Sequence, residues 1–220
     1  ARDRCDGHCT LALHAAFGQE VEWYCENQEN LSIDPARLEW FFAQFYDPYF
    51  QDGRIQPRAL SLGGSWLDSG INALSVISRL IGPGRLTIND SRMTRVDGSN
   101  CAEVQGSVDF NITVRENYLA SGLIDTNWTL GRDSKSTLLA YHGSDRKILL
   151  DHSKQEVRAI SVEGEEVLFT CSNGRDRLTN HYIGVFESLA QQMDAGEDNF
   201  DYCKSLHRLL FKAEDGLSSE

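Results

Sequence analysis

Apolar residues recur at three- and four-residue steps in three segments of the chain, which is the spacing of one face of an α-helix. In the first segment, "GGSWLDSGINALSVISRLIG" (Gly63 to Gly82), a glycine pair leads into the predicted helix. The second, "LTNHYIGVFESLAQQMDAG", ends at Gly196, a predicted C-terminal cap, and the third is "NFDYCKSLHRLLFKAEDG". The residues that we expect on the buried face of the second helix are Tyr182, Val185, Phe186 and Leu189.

Polar and apolar residues alternate in the region that follows Pro83-Gly84, and this period of two predicts β-strands. Successive runs are separated by turn signals, a spacing typical of antiparallel strands joined by hairpins. The runs are "RLTINDSRMTRV", "CAEVQGSVDFNITV", "GLIDTNWTL", "STLLAYHG", "RKILLDHS", "EVRAISV" and "EVLFTC". Two earlier runs, "CTLALHAAF" and "RLEWFFAQFYD", are also predicted strands, with a short helix "GQEVEWYCENQ" between them and a polar loop from Gln51 to Gly64 afterwards.

These elements predict an α+β fold: a large, mainly antiparallel open β-sheet with helices on one face. We expect a single domain over residues 1–220, because a chain of this length buries a sizeable core. The other face of the sheet would need cover, and a partner subunit or partner domain is the natural candidate.

The charge balance narrows the classes of partner. Lys and Arg number 21 against 33 Asp and Glu, a net charge of −12, which argues against nucleic acid or an anionic membrane as the main partner. No apolar run approaches the roughly 20 residues needed to cross a bilayer. The first residues, "ARDRCDGHCT", lack the apolar segment of a signal peptide, so we expect a cytoplasmic protein.

The six cysteines are scattered through the chain, and without a secretory signal we expect reduced thiols. Cys5, His8 and Cys9 in "CDGHC" could supply three zinc ligands, but no second ligand pair follows at the spacing of a zinc finger. No metal site is therefore predicted.

Asp68 and Asn72 stand four residues apart, so they share one face of the first predicted helix. Ser65 and Asp68 fit a capping box, and an anion is also favoured at a helix N-terminus, so capping and catalysis are both open for Asp68. Asn72 lies beyond the first turn, where Asn is a poor helix former. A buried amide there needs partners, and the hydroxyls of a ligand could supply them.

Two histidines are further candidates. His14 follows a predicted strand and His181 lies near the start of a predicted helix. Each could line a pocket, or could be an ordinary half-buried or first-turn residue, and neither pattern is specific by itself. No glycine-rich turn between a strand and a helix occurs near the start, so no dinucleotide or P-loop site is predicted.

The helix segment resembles the G-G-x-x-x-D-x-G-x-H motif of the glucose–fructose oxidoreductase, inositol dehydrogenase and rhizopine-catabolism (Gfo/Idh/MocA) family. "LHAAFGQEV", "LASGLIDTNWTL…STLLAYHGSDRKILLD" and "LTNHYIGVFESLAQQMDAGEDN" resemble other parts of the C-terminal domain of that family, with Arg146 at a position where glycine is usual. The sequence D-x-G-I-N-A-L-S is most similar to the galactose and arabinose 1-dehydrogenase branch. Tyr46 and Asp47 depart from that branch, so its sugar specificity is not transferred.

The resemblance implies the substrate-binding and dimerisation domain of an NAD(P)-dependent sugar or polyol oxidoreductase. Members of the family join this domain to an N-terminal Rossmann domain, which binds NAD or NADP and carries the catalytic lysine; we expect that domain to be absent from this chain. The chain would then not be competent alone, and would form a homo-oligomer through its open sheet face.

By this resemblance Asp68 is the catalytic candidate, orienting or deprotonating a substrate hydroxyl. Asn72 stands where most members have His, and an amide cannot serve as a general base. The residues expected to bind substrate are Asn72, His14, His181, Gly64 and Trp66.

Two rival hypotheses remain open. The chain could be a non-catalytic binding or assembly module that keeps the fold without the nucleotide domain. It could also catalyse hydrolysis or elimination on a sugar with paired carboxylates, although only Asp68 is well placed in the sequence.

Overall fold

The structure, a computed structural model, describes residues 11–81, 85–96, 102–115 and 118–215. Its α-helices are α1 (Gln19–Asn27), α2 (Ile71–Ile81), α3 (Arg177–Ala195) and α4 (Phe200–Asp215). Its strands are β1 (Leu38–Tyr46), β2 (Phe50–Gln51), β3 (Arg54–Ile55), β4 (Leu86–Arg95), β5 (Glu103–Arg115), β6 (Tyr118–Asn127), β7 (Ser134–Tyr141), β8 (Lys147–Asp151), β9 (Glu156–Ser161) and β10 (Gly164–Thr170). Among the described helices, none combines the length and apolar character needed to cross a bilayer.

Within these residues, eight strands form one mixed sheet in the order β10-β9-β8-β7-β1-β6-β5-β4. Strands β4 to β10 pair antiparallel with their neighbours in the chain, except where β1 separates β6 from β7. β1 pairs parallel with β6 and antiparallel with β7. The α+β fold with a large, mainly antiparallel sheet is therefore confirmed, with one parallel pair at its centre.

Alternation along the strands creates the core. In β1, Phe41, Ala43 and Phe45 are buried on the face that the helices cover, and each fully buried aromatic side chain of this kind stabilises the fold by about 1.5–3 kcal/mol. The intervening residues of β1 lie on the other face and are only half-buried.

On that other face, apolar side chains form a row that crosses the sheet. Phe42 is paired with Leu123 on β6 and with Leu138 on β7, and Leu138 is paired with Leu149 on β8. All four are half-buried, and no described helix covers them. This row is the apolar part of the open face that the sequence predicts.

The segment "LALHAAF" is not a strand, and this prediction is wrong. Backbone bonds from Ala16 N–H to Leu13 C=O and from Gly18 N–H to Ala15 C=O close a 3₁₀ helix, His14–Phe17, which packs between α2 and α3. A short apolar run lacks the length at which a period of two differs from a helical turn. The predicted loop after Gln51 likewise contains the small hairpin β2–β3 and a 3₁₀ helix, Pro57–Leu62.

Helix α3 ends at Gly196 as predicted, with φ of 69°, but its buried face is different. Val185 is buried, whereas Tyr182 and Phe186 are 44% and 66% exposed. The other buried residues of α3 are Asn180, His181 and Gly184. This side of the helix packs against the polar end of the sheet, and Gly184 lies so close to Phe17 that a Cβ atom would be 3.0 Å from the Phe17 carbonyl oxygen.

The helix that carries Asp68 begins with a π-helical turn, Trp66–Gly70, before α2. Ser65 makes no capping bond; its hydroxyl lies 3.1 Å from Thr126 Oγ1. Instead, the buried carboxylate of Glu103 accepts a hydrogen bond from the Trp66 backbone N–H at 2.6 Å. The capping-box interpretation is therefore wrong, and a side chain from β5 satisfies the helix terminus instead.

Gly64 and Trp66 both serve this junction. Gly64 has φ of 132°, and a Cβ atom there would lie 2.0 Å from Glu103 Oε2, so only glycine leaves room for the carboxylate. Trp66 is fully buried, and its indole Nε1–H donates to Leu210 C=O at 2.9 Å. Neither residue lines the cavity described below, so both have a structural role here, and the expectation that they bind substrate stays a prediction.

We expect Gly64→Ala to destabilise the fold strongly. The added methyl group combines a strained φ with displacement of the Glu103 carboxylate, and the two effects together should cost about 3 kcal/mol or more. Urea unfolding measures the loss. Gly53→Ala is the matched control, because Gly53 has φ of 75° with no atom within 4 Å of the new Cβ. Its cost should stay near 1–2 kcal/mol; equal losses in both variants would contradict the proposed role of Glu103.

Candidate functional site

Four of the predicted site residues lie around one cavity of about 270 Å³. The cavity lies beside the 3₁₀ helix His14–Phe17, at one end of the sheet. Its other walls come from the end of β1, the start of β7, the end of β8 and the first turns of α2 and α3. Its polar and charged lining consists of His14, Asp47, Tyr49, Asp68, Asn72, Lys135, His152, Arg177, His181 and Tyr182. The volume is slightly below the range of about 300–1,000 Å³ that holds drug-sized ligands, so it suits a small ring or short chain.

Asp68 and Asn72 enter this cavity from consecutive turns. The Asn72 side chain donates from Nδ2 to the Asp68 backbone carbonyl at 3.0 Å. Because an amide has one nitrogen and one oxygen, this bond directs Oδ1 away from the helix backbone, where it can accept from a ligand hydroxyl. The Nδ2 group of Asn72 is therefore used within the helix, and its Oδ1 atom can accept a hydrogen bond from a ligand.

Asp68 is a carboxyl that can exchange a proton near neutral pH. Burial and, to a smaller extent, the neighbouring Asp47 carboxylate raise its pKa to about 6, against the opposite effects of Lys135 and of a hydrogen bond from Ser69. The group is ionised above this value and can be protonated just below it, which is the behaviour of a general base or acid.

Asp47 and Lys135 form a buried ion pair at the base of the cavity. Lys135 is 7% exposed, and its Nζ donates to Asp47 Oδ1 at 2.6 Å and to Asp133 Oδ1 at 2.7 Å. Ser69 Oγ–H donates to Asp47 Oδ2 at 2.9 Å. These contacts compensate for the burial of both charges.

His14 and His181 lie against each other at the opposite wall, with their Nδ1 atoms 3.1 Å apart. One nitrogen donates and the other accepts, so at least one ring is neutral at Nδ1. Burial lowers the pKa of both, that of His181 to about 3, and the nearby cation of Arg177 adds to the effect. Both rings are therefore uncharged hydrogen-bonding groups at neutral pH.

His152, which lines the cavity, connects the elements that surround it. Its Nδ1 lies 2.8 Å from Glu20 Oε1, and its Nε2 lies 2.9 Å from Thr137 Oγ1. Its backbone N–H donates to Lys135 C=O, so the same residue ties α1, β7 and the end of β8 together. This buried network holds the strand end from which Lys135 projects.

The sequence reasoning missed Lys135 and Arg177. Lys135 does carry a signal: it occupies the same inward phase of β7 as Thr137 and Leu139, where a charged residue is unusual. Arg177 is the first residue of α3, and nothing in its surroundings in the sequence marks it. Asp47 was noted only as a departure from the sugar-dehydrogenase branch.

Other expected features concern metal and thiols. Cys5, His8 and Cys9 lie outside the described residues, and among the described ones no group of three or more His, Cys, Asp and Glu side chains is arranged to hold a metal ion. Cys25 and Cys171 form no disulfide within the described part of the chain.

Comparison with solved structures identifies the fold. An oxidoreductase from Agrobacterium radiobacter, solved with NAD⁺, L-tartaric acid and magnesium, superposes with a TM-score of 0.71 at 14% identity, over 97% of this chain and 64% of that one. Levoglucosan dehydrogenase, solved with NADH and levoglucosan, gives 0.67 at 10% identity, over 94% and 62%. A UDP-N-acetylglucosamine 3-dehydrogenase from Acidithiobacillus ferrooxidans gives 0.63 at 14%, over 92% and 58%.

These matches confirm the fold expected from the resemblance, that of the C-terminal part of such oxidoreductases. The chain spans between 58% and 64% of the length of these neighbours. No protein-family model and no curated protein sequence matches the chain. The galactose and arabinose branch suggested by the helix motif stays a prediction.

We expect Asp68→Asn to change how stability depends on pH. The folded pKa of Asp68, about 6, is above the unfolded value, so the carboxyl favours folding fully below about pH 4 and loses this contribution as pH rises through 6. The variant does not ionise, so relative to the wild type it should gain about 1–3 kcal/mol between about pH 4 and pH 7. Urea unfolding at both pH values measures this, and Asn72→Ala, which removes no ionisable group, should follow the wild-type pH dependence. A constant difference between Asp68→Asn and wild type would contradict the assignment.

We also expect the rings of His14 and His181 to stay neutral throughout the neutral pH range, because burial lowers the pKa of both. Nitrogen-15 NMR of the histidine-labelled chain, with the single Ala variants used for assignment, measures ring protonation. A titration of either ring near pH 6.5, the ordinary value for histidine, would show that the pair is not shielded from charge.

Proposed function

We propose that the chain is the substrate-binding domain of an NAD(P)-dependent oxidoreductase that acts on a sugar or polyol. The observation that carries this proposal is the convergence of Asp68, Asn72, His14 and His181 on one small cavity, in a fold shared with dehydrogenases. The lining is rich in uncharged and anionic acceptors, which suit a ligand with many hydroxyl groups.

Asp68 is the group that receives a proton from the substrate hydroxyl. It is ionised at neutral pH, yet its pKa of about 6 leaves it basic enough to accept a proton during the reaction. Asn72 holds a neighbouring hydroxyl and cannot take a proton, while the neutral histidines add contacts that fix the ring. A substrate that lacks one of these hydroxyls would leave a buried polar group unpaired and bind more weakly.

NAD or NADP would supply the chemistry of accepting or delivering a hydride at the substrate carbon. The described residues include no glycine-rich turn between a parallel strand and a helix that could hold a dinucleotide pyrophosphate, so we assign none of them to the cofactor. A nucleotide-binding domain would hold it, as a further part of the same protein or as a separate one.

The open face of the sheet is the surface through which we propose that copies of the domain associate. Phe42, Leu123, Leu138 and Leu149 form a continuous apolar row on it. Two such faces related by a twofold axis would bury the same row on both partners.

Binding experiments test the proposal. Titration calorimetry of the chain against a panel of neutral monosaccharides and polyols should find at least one ligand. Asn72→Ala should weaken its binding about 10- to 100-fold, because it removes a hydrogen-bonding group from the lining of the cavity. Binding should also weaken as pH falls through 6, when Asp68 loses its charge. Asn89→Ala, on the exposed edge strand β4, is the matched control and should bind as the wild type does. The proposal fails if no member of the panel binds, or if Asn72→Ala binds normally.

A further inference from the structure

The ammonium group of Lys135 is fully engaged inside the protein. Besides Asp47 and Asp133, it donates to the Tyr46 carbonyl at 3.3 Å, so three acceptors receive the three N–H groups that a lysine carries. No donor is left over for a substrate. The function of this lysine must therefore act through its neighbours.

Asp47 is the neighbour that reaches the cavity. One of its carboxylate oxygens accepts from Lys135 and the other from Ser69, so both oxygens have a donor. Two charge-assisted hydrogen bonds of this kind stabilise the ionised form of a carboxyl group. Protonating Asp47 would sacrifice at least one of them.

Asp68 lines the same cavity but has no ion pair with Lys135 among the contacts of the described residues. Two carboxylates that share a site compete for one proton, and the difference between their surroundings decides which of them carries it. Here the surroundings differ because Asp47 is in direct contact with the lysine and with the Ser69 hydroxyl, whereas Asp68 has no ion pair with the lysine in the part of the chain that the structure describes.

We propose that Lys135 is a positioning residue that holds the Asp47 carboxylate in an ion pair and thereby leaves Asp68 as the carboxyl that exchanges a proton with the substrate. The identity of the substrate in this inference rests on the proposed function. The difference between the contacts of Asp47 and those of Asp68 does not depend on that function. The other titratable and charged groups that face the pair are Tyr49 from the loop after β1, Asp133 before β7, His152 after β8, Arg177 and His181 from α3, and His14 from the 3₁₀ helix.

Carbon-13 NMR of aspartate labelled at the side-chain carboxyl, recorded on the whole chain over a pH series, observes Asp68 directly, and Asp68→Asn assigns its signal. In the wild type, the Asp68 signal should change with a midpoint near 6. Asp47→Asn should lower that midpoint, because the neighbouring anion that raises the pKa of Asp68 is then lost.

Lys135→Met is the decisive variant. Lys135 lowers the pKa of Asp68, so without this cation the midpoint of the Asp68 signal should rise by about one pH unit. Lys135→Arg restores the charge and should restore the wild-type midpoint. Lys147→Met is the matched control, because Lys147 lies on the opposite face of the sheet, over the Trp40 ring, and its loss should leave the Asp68 signal as in the wild type.

The proposal is overturned if the Asp68 signal of the wild type does not change with a midpoint near 6, an observation that needs no variant to fold. It is also overturned if Lys135→Met folds and leaves the Asp68 midpoint unchanged. A purely structural lysine would change the unfolding midpoint without changing the titration of Asp68. If the titrations behave as expected and no sugar or polyol binds, the proposed function fails while the role of Lys135 stands.

Discussion

The hydrogen bond between the Glu103 carboxylate and the Trp66 backbone N–H is the interaction on which the site depends. It replaces the local cap that the sequence suggests, and it connects the start of the helix to β5 in the sheet. Because Asp68 and Asn72 follow within two turns, their positions are set by a strand far along the chain rather than by the helix alone. Gly64 and the indole of Trp66 complete this junction. The first half of the "GGSWLDSGIN" segment therefore anchors the helix to the sheet, and the second half contributes the side chains of Asp68 and Asn72 to the cavity.

The cavity combines groups whose pKa values burial shifts in opposite directions: it raises that of Asp68 and lowers those of His14 and His181. Asp47 and Lys135 satisfy each other, the two histidines are kept uncharged, and Asp68 is the group left with a pKa close to neutrality. Several titratable side chains can therefore occupy this small space, because the ion pair, the uncharged histidines and Asp68 each respond differently to pH. The Glu20–His152–Thr137 network contributes by holding β7 and the end of β8 in place behind the cavity.

Much of the fold could be predicted from periodicity, because half-buried strands alternate and β1 and the strands from β4 onwards do so clearly. The prediction failed at "LALHAAF", where the apolar run is too short to show a period, and on α3, where the inward side chains are small or polar and Tyr182 and Phe186 face outwards. Around the candidate cavity, Asp68 and Asn72 could be singled out as neighbours because their spacing on one helix is visible in the sequence. Lys135 and Arg177 were missed because only strand pairing and the docking of α3 bring them to that helix.

The position of β1 has a consequence for how the chain acquires its structure. This strand precedes both of its partners in the sheet, β6 and β7, by a long stretch of chain. Until β7 has left the ribosome, β1 has its Phe-rich inner side and both edges unpaired, and such features favour aggregation. Closing so long a loop is entropically unfavourable and slow, so we expect β1 to join the sheet late in folding. The central strand is thus synthesised well before the strands that complete the sheet around it.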